Sequence, residues 1–559
     1  MEGTVSTALP GSDQDDLGDQ SAAPGADTYL ISQPAKSTRK THSKLLGAAN
    51  GKGWWLAALS SLLLVLAFPD FNLWPLAWVS LVPLLVAIAR RPMEGRAFLR
   101  GWGAGSAFFY GTCYWLTYSM IHFAEFRAWQ AYALLVPGAV VLGLFPALFA
   151  TALTRLIRAW GLNALFAAPV LWVTLEWMRL SVTGQLWNAI GYSQAFHPAF
   201  IQMARWGGVY AVGFLIVAIN AAIAVALIQR TAKAAVISAL VSASVVIVIV
   251  ASSFSSLSGA PIESSDQRSV TVVALQPNVP MNFDKPAQEM RELLSRHLSE
   301  SERGLRELQR NDWPRLVIWP ESPMNFAFGE DSQLRDSLGR FTQQNHTSLI
   351  FNSQEPAPDN SSYNSALMIN EAGRLVAQYD KIRLMPFGEY VPLPLWLPGA
   401  ERVRGIVGGF TPGVRYTLMP VGTMRAGVFI CIESAYPWIA RTFTAEGADV
   451  LINISNDGYL GPTPVVKQHL ANAIFRAVEN GRPLLRVTNT GTTAYITPRG
   501  DVHDPTKGFQ TAVRTWTIAD GAANNETFYT RHGDLFVAAC AALGLLMIAL
   551  SFVSLRGKI

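Results

Sequence analysis

The sequence predicts an α-helical transmembrane bundle of about eight helices carrying an α/β domain of stacked sheets and helices. Three observations lead there. Half of the residues are hydrophobic, only 15% are charged and the mean hydropathy is +0.24, values typical of membrane proteins. The apolar residues crowd into Trp54–Phe254 and Leu535–Leu555, which leaves Ser255–Asp534 with an ordinary soluble composition. Within that soluble stretch, short apolar runs of strand length alternate with segments of helical periodicity.

Taken in order, residues 1–50 form a tail rich in Ser, Ala, Gly, Asp and Pro that is expected to be disordered, since little in it can offset the entropy of ordering. Residues 51–255 then hold seven apolar segments: Trp54–Phe68, Leu73–Ala89, Trp102–Met120, Trp129–Leu153, Leu162–Leu180, Val209–Ile228 and Ala234–Phe254. The first two are short for a ~30 Å hydrocarbon core and could form a re-entrant pair. Lys40, Lys44 and Lys52 precede the first segment. Arg90, Arg91, Arg96 and Arg100 follow the second, Arg155 and Arg158 the fourth, and Arg230 and Lys233 the sixth, while Arg556 and Lys558 end the chain. All lie on one side if the N-terminus is cytoplasmic, which puts the soluble domain outside the plasma membrane. Glu176 and Arg179, one turn apart on the fifth segment, can pair within the bundle. His122, Glu125 and Arg127 fall in an outer loop, and Val182–Gln194 offers Trp187 and Tyr192 to the outer interface.

The soluble domain, residues 256–531, precedes a last helix and a cytoplasmic C-terminus in residues 532–559. Its strand candidates are Val270–Leu275, Arg315–Trp319, Leu349–Asn352, Ala366–Ile369, Arg374–Tyr379, Gly427–Ile430, Asp449–Ile454, Leu484–Thr488 and Thr493–Thr497. Helices are expected over Gln288–Gln309, from Pro437 to Gly447, and over Val465–Asn480. The chain has three cysteines, and Cys113 and Cys540 lie in apolar segments, so Cys431 is the soluble domain's single thiol and has no disulfide partner there. It stands where a buried strand turns sharply into a helix, a position at which α/β enzymes hold a nucleophile.

Glu321 and Lys381 occupy comparable strand ends. The three residues make chemical sense together. A thiol attacks a carbonyl as thiolate, so Glu321 can take its proton as general base and return it to the leaving group. Lys381 can lower the thiol's pKa and, with the backbone N–H of Ile432, donate to the developing oxyanion. Any one of the three alone would read as a surface or salt-bridged residue.

The set resembles the nitrilase superfamily, whose Glu-Lys-Cys triad occurs in this chain order. Trp319–Ser322 (W-P-E-S) is similar to the family's glutamate motif, Tyr379–Pro392 to its lysine motif and Phe429–Glu433 to its cysteine motif. The resemblance implies an α-β-β-α sandwich. With the domain set between the seventh and eighth apolar segments, the chain from about Trp54 onward resembles the bacterial apolipoprotein N-acyltransferases, and Leu66–Ser80 and Val182–Gln194 also look like segments of that family. The resemblance implies transfer of an acyl chain from a membrane phospholipid to the N-terminal amine of diacylglyceryl-cysteine apolipoproteins, through a thioester on Cys431. It further implies that Glu389 and Glu433 support the triad. Three departures stand out: Ile432 replaces a frequent aromatic after the nucleophile, Phe283 is the nearest match to an aromatic expected after the first strand, and Gln185-Leu186 stand where Phe-Pro is common in the outer loop.

An apolar cluster of Val391, Leu393, Leu395, Trp396 and Leu397, broken by Pro392, Pro394 and Pro398 and followed by the glycine-rich run Gly405–Gly413, is expected either to form a hinged lid facing the membrane or to pack onto the domain's own surface. Tyr459, in N-I-S-N-D-G-Y, is a further candidate for contact with substrate. No cofactor and no metal is expected, because the eight histidines are scattered without ligand spacing. No basic patch interleaved with aromatics suggests a nucleic-acid partner, and the chain is expected to act as a monomer. The alternative from the same triad is a membrane-tethered amidase that delivers water to the thioester. A transporter is disfavoured, because paired interrupted segments rich in ionisable groups are missing.

Overall fold

The computed structural model describes all residues except 1–37, 185, 259–268, 282–284, 309–312, 322–325, 359–360, 392–408, 520–525 and 557–559. The expected disordered tail therefore lies, up to residue 37, outside the described residues. Residues 1–50 form a unit of their own, and residues 51–559 form a second.

The membrane block opens with helix α1 (Thr38–Ala67), so helical backbone starts earlier than the expected tail boundary. The second apolar segment is not one helix. A short 3-10 turn at Trp74–Trp78 is followed by α2 (Val82–Ala89), and the Asn220 amide oxygen caps the entry to α2 by accepting from the Leu81 N–H at 2.8 Å. The third segment also divides, into α3 (Glu94–Thr112) and α4 (Leu116–His122). Arg96 and Arg100 therefore lie within α3 rather than in a loop, and Arg100 is buried with its guanidinium donating to Ala87 O at 2.8 Å. Then come α5 (Ala128–Trp160), α6 (Ala168–Thr183), α7 (Pro198–Ile201), α8 (Ala204–Gln229) and α9 (Ala232–Ser258). Among the described residues, five stretches are long and apolar enough to cross a bilayer: α5, Leu162–Thr183, α8, the part of α9 up to Ser255, and the final helix. The third expected segment is not among them, because Glu94, Arg96 and Arg100 dilute α3.

The domain's elements are β1 (Ser269–Gln276), α10 (Ala287–Glu307), β2 (Arg315–Ile318), α11 (Ser332–Asn345), β3 (Ser348–Pro356), β4 (Ser362–Ile369), β5 (Leu375–Asp380), β6 (Leu418–Val421), β7 (Met424–Ile430), α12 (Pro437–Ala445), β8 (Val450–Ser455), α13 (Val465–Asn480), β9 (Leu484–Thr488), β10 (Ala494–Ile496), β11 (Val502–His503) and β12 (Ala512–Ala519). Short α14 (Phe528–His532) leads into the last span, α15 (Leu535–Arg556). The strands form two mixed six-stranded sheets, ordered β12-β1-β2-β3-β4-β5 and β11-β10-β9-β8-β7-β6. In each sheet the central strands are parallel and the outer ones antiparallel. Side chains of the first sheet alternate between two cores. Val272, Ala274, Ile318 and Met368 enter the large core shared with the second sheet, while Val273, Val317, Phe351 and Leu367 pack beneath α10 and α11. Both faces are covered, which is why these strands read as continuous apolar runs. The helix α11 and the strands β6, β11 and β12 were not expected from the sequence.

Helix α13 is buried on every side from Gln468 to Asn480, lying between β9 and the membrane helix α8. Gln468 makes four hydrogen bonds there. Its amide oxygen accepts from the indoles of Trp115 (3.0 Å) and Trp187 (2.7 Å), and its amide nitrogen donates to the carbonyls of Pro69 and Thr112, both at 3.0 Å. Trp187 and Tyr192 are thus buried beneath the domain, not displayed at a lipid interface as expected. The reason is tertiary: their polar atoms find partners on α13 rather than in headgroups.

Candidate active site

Glu321 follows β2, Lys381 follows β5 and Cys431 follows β7, so the two sheets bring the three strand ends to one place. Lys381 is almost completely buried, and its ammonium lies 3.2 Å from Glu321 Oε1 and 2.9 Å from the Glu389 carboxylate. Burial alone would push this amine's pKa down, but Glu321 and Glu389 outweigh it and hold it well above the usual lysine range. Asn364, on β4, donates to both carboxylates through one amide nitrogen, at 2.9 Å to Glu321 and 2.6 Å to Glu389. The backbone N–H of Asn456 holds the other Glu321 oxygen at 3.1 Å, and that of Met385 holds Glu389 Oε2 at 2.7 Å. Each acid is thereby fixed by donors from different elements. Asn364 carries no signal in the sequence, where an Asn on a strand reads as ordinary sheet polarity, and Asn456 lies in the family-like stretch N-I-S-N-D-G-Y, which assigns it no role of its own.

Cys431 has φ +52°, in the left-handed region that a non-glycine residue adopts only when its surroundings impose it. The surroundings are polar and buried. The Cys431 carbonyl accepts from His469 Nε2 at 2.9 Å and from Asn453 Nδ2 at 3.4 Å. His469 Nδ1 meets Asp457 at 2.8 Å, and Arg486 bridges Asp457 (3.0 Å) and Asn453. Burial would raise the pKa of Asp457, but Arg486 and His469 hold it down at about 2. Glu433 ties the turn at Cys431 to the segment that follows the lysine's strand. It accepts from the N–H groups of Ile430 (2.7 Å), Ile382 (2.8 Å) and Arg383 (3.0 Å), and from the Tyr379 hydroxyl (2.8 Å). Burial pushes its pKa up to about 7 against these donors. Glu389 therefore touches the lysine directly, whereas Glu433 acts on the backbone around it.

The Cys431 thiol is pushed well above its ordinary pKa, first by burial and then by Glu321, with Lys381 opposing. The expectation that Lys381 would make the thiol acidic meets a stronger desolvation effect, so burial and not the lysine sets the direction of the shift. The side chain of Ile432 is buried in the inter-sheet core. Tyr459 is 38% exposed at the mouth, its phenol pushed up by burial and by the charges of Glu321 and Glu389. Its carbonyl accepts from Ser119 Oγ of α4 at 2.8 Å, and its ring meets Phe123 edge-on at 5.7 Å. This contact joins the site to the membrane block, a link that sequence spacing could not reveal. Phe283, Leu395, Trp396 and Leu397 lie outside the described residues. At either end of the expected lid, Val391 is buried and the Gly413 N–H donates to Lys381 O at 2.8 Å. His122 stacks on Tyr118 at 3.9 Å, and the Arg127 N–H donates to Gln130 at the start of α5. Glu176 accepts from Trp172 Nε1 and the Ile190 N–H, and Arg179 donates to Trp187 O.

A membrane bundle bearing two facing mixed sheets, with a cysteine at a strained strand end beside a buried lysine–glutamate cluster, defines a membrane-embedded enzyme with a carbon-nitrogen-hydrolase domain. Residues 272–519 match the carbon-nitrogen hydrolase family, and residues 60–222 match the apolipoprotein N-acyltransferase N-terminal domain. The apolipoprotein N-acyltransferase of Geobacter metallireducens is 32% identical over 90% of this chain and 95% of its own length. That of Rhizobium meliloti is 31% identical over 87% of this chain and 95% of its own, and that of Chlorobaculum tepidum 26% identical over 90% and 97%. The chain belongs to the apolipoprotein N-acyltransferase family and is an acyltransferase.

Proposed function

We propose that this enzyme transfers an acyl chain from a membrane phospholipid to the α-amine of diacylglyceryl-cysteine apolipoproteins by way of a thioester on Cys431. The observation that carries the reading is the buried Lys381 ammonium set against Glu321 and Glu389, within electrostatic range of the thiol. In the first half-reaction Glu321 takes the Sγ proton as sulfur attacks the ester carbonyl. Lys381 and the Ile432 N–H stabilise the oxyanion. Its collapse breaks the C–O bond, and Glu321 returns the proton to the departing lysophospholipid oxygen. In the second, the acceptor amine attacks the thioester carbonyl, loses a proton to Glu321 and displaces the thiolate, which is then reprotonated. Two half-reactions through one carboxylate require it to be held tightly yet remain reachable, and Glu321 keeps a side-chain exposure of 13%.

The same reading puts the catalytic domain on the extracytoplasmic face of a bacterial inner membrane. Basic ends of the helices support it. Arg158 and Arg155 at the end of α5 meet Glu94 at the start of α3, at 2.8 and 3.5 Å, and Arg155 also lies over Phe552 near the end of α15. These cationic ends share one side of the bundle, as the positive-inside rule requires for the cytoplasm.

Peptide mass spectrometry of Cys431 after incubation with phospholipid alone tests the mechanism. An acyl adduct should accumulate on the wild type, be absent from Cys431→Ala and Glu321→Gln, and disappear when a diacylglyceryl-cysteine peptide is added. Release of free fatty acid without acceptor, as fast as transfer, would instead identify a hydrolase.

A further inference from the structure

A cavity of about 330 Å³ opens where α8, α9 and α14 meet, away from the nucleophile. Arg205 and Trp206 at the start of α8 line it together with Glu526, Phe528, Arg531 and His532 from the approach to α15. It lies at the opposite end of α13 from His469. Gly481, just past the end of α13, lies against the Arg205 guanidinium, and twelve residues of helix from His469 span about 18 Å.

The charges in this cavity do not balance. Arg531 pairs with Glu526 at 3.3 Å, which uses the one carboxylate in the lining. Among the described residues the Arg205 guanidinium has neither a hydrogen bond nor an ion pair, and the neighbouring charges acting on it are those of Arg499 and Arg482. The end of α13 offers it only the partial negative charge of a helix C-terminus. A part-buried guanidinium facing like charges is a costly arrangement unless an anion completes it. The rim identifies the carrier of that anion. Trp206 is 53% exposed and stacks on Phe528 at 5.6 Å, and beside them α9 presents Ile247, Val250 and Phe254 outward at 65%, 46% and 64% exposure. Aromatic rings at the ends of apolar helices lie at headgroup depth.

We propose that this cavity binds the phosphate of an anionic phospholipid of the adjoining leaflet, at a site distinct from the catalytic one. Arg205 and Arg531 take the phosphodiester oxygens, and Trp206 and Phe528 flank the glycerol backbone. Glu526, the one carboxylate in the described lining, is already paired, so a phosphatidylglycerol-type headgroup, which brings no ammonium, fits better than a zwitterionic one.

Native mass spectrometry of the full chain in detergent, with added phosphatidylglycerol or phosphatidylcholine, tests this. Wild type should retain phosphatidylglycerol in preference to phosphatidylcholine, and Arg205→Gln should weaken that retention by about tenfold, the loss of one charge-assisted contact. Arg205→Lys should restore part of it. Glu526→Gln, which frees Arg531, should strengthen retention and gives a reading even if Arg205→Gln fails to fold. Equal retention of both lipids, no change in Arg205→Gln, or weaker retention in Glu526→Gln would each overturn the proposal. Displacement of the lipid by inorganic phosphate would assign the cavity to a free anion instead, and so overturn the lipid reading.

Discussion

Helices α10 and α13 both cover a sheet of the same domain, and they use polar residues in opposite ways. In α10 the buried residues Leu293, His297, Ser301 and Leu305 follow helical spacing along one face, and charged residues such as Glu302 and Arg306 face outward. Beyond its first turn α13 has no outward face. Gln468, His469, Arg476, Glu479 and Asn480 are all buried, and their partners lie on the membrane bundle, on the Cys431 turn, on Asp457 after β8, on Thr530 of α14 or on α13 itself. An exposed charge on α10 keeps that face of the helix in water, whereas a buried one on α13 holds two parts of the protein in register. Low-dielectric surroundings make each buried polar contact costly to leave half-made.

Truncating Arg476 should cost most. It bonds Glu479 at 2.8 Å, Ser434 O at 3.2 Å and the Tyr192 hydroxyl at 3.2 Å, with neither side chain of the ion pair exposed. Arg476→Ala leaves Glu479 buried without its cation and should destabilise by about 3–5 kcal/mol, read from thermal unfolding in detergent. A loss below 1 kcal/mol would mean that water reaches the pair, and the contrast with α10 would fail.

Gln468→Ala comes next. It orphans two indole N–H groups and two carbonyls at the junction with the membrane block, at a cost of about 2–4 kcal/mol. Acyl transfer should fall further than stability alone explains, because His469 is the adjacent residue and contacts the Cys431 carbonyl. Full transfer rates at a temperature where the variant stays folded would limit Gln468 to a structural role.

The buried histidine of α10 allows a test with a defined sign. His297 packs edge-on against Trp319 at 5.1 Å, and burial lowers its pKa from 6.5 to about 4. Between those values the unfolded chain binds a proton that the folded one does not, so stability should fall as pH drops from 6.5 towards 4 and change no further below. The full contribution is on the order of 3 kcal/mol. Comparing the pH dependence of melting in wild type and His297→Leu isolates it, and parallel curves would disprove the shift.

Arg306→Ala should do least. Its pair with Glu302 at 3.7 Å is open to solvent on both sides, so a change of less than about 0.5 kcal/mol is expected in the same unfolding assay. A loss matching that of Gln468→Ala would remove the distinction between the two helices.

The sequence by itself determined whatever depends on local pattern. The helix the sequence predicts over Val465–Asn480 has the bounds the structure shows. The strand ends at Glu321, Lys381 and Cys431 are legible because strand, turn and polar side chain are contiguous there. What only the tertiary structure decided are the pairings between distant segments. Asn364 bridges Glu321 and Glu389 across 43 and 25 positions, and Gln468 reaches Pro69 across 399, separations at which no periodicity carries information. The same holds for the acidity of the thiol. Sequence could name the lysine that lowers its pKa, but the burial that outweighs that lysine comes from segments that meet only in the folded domain.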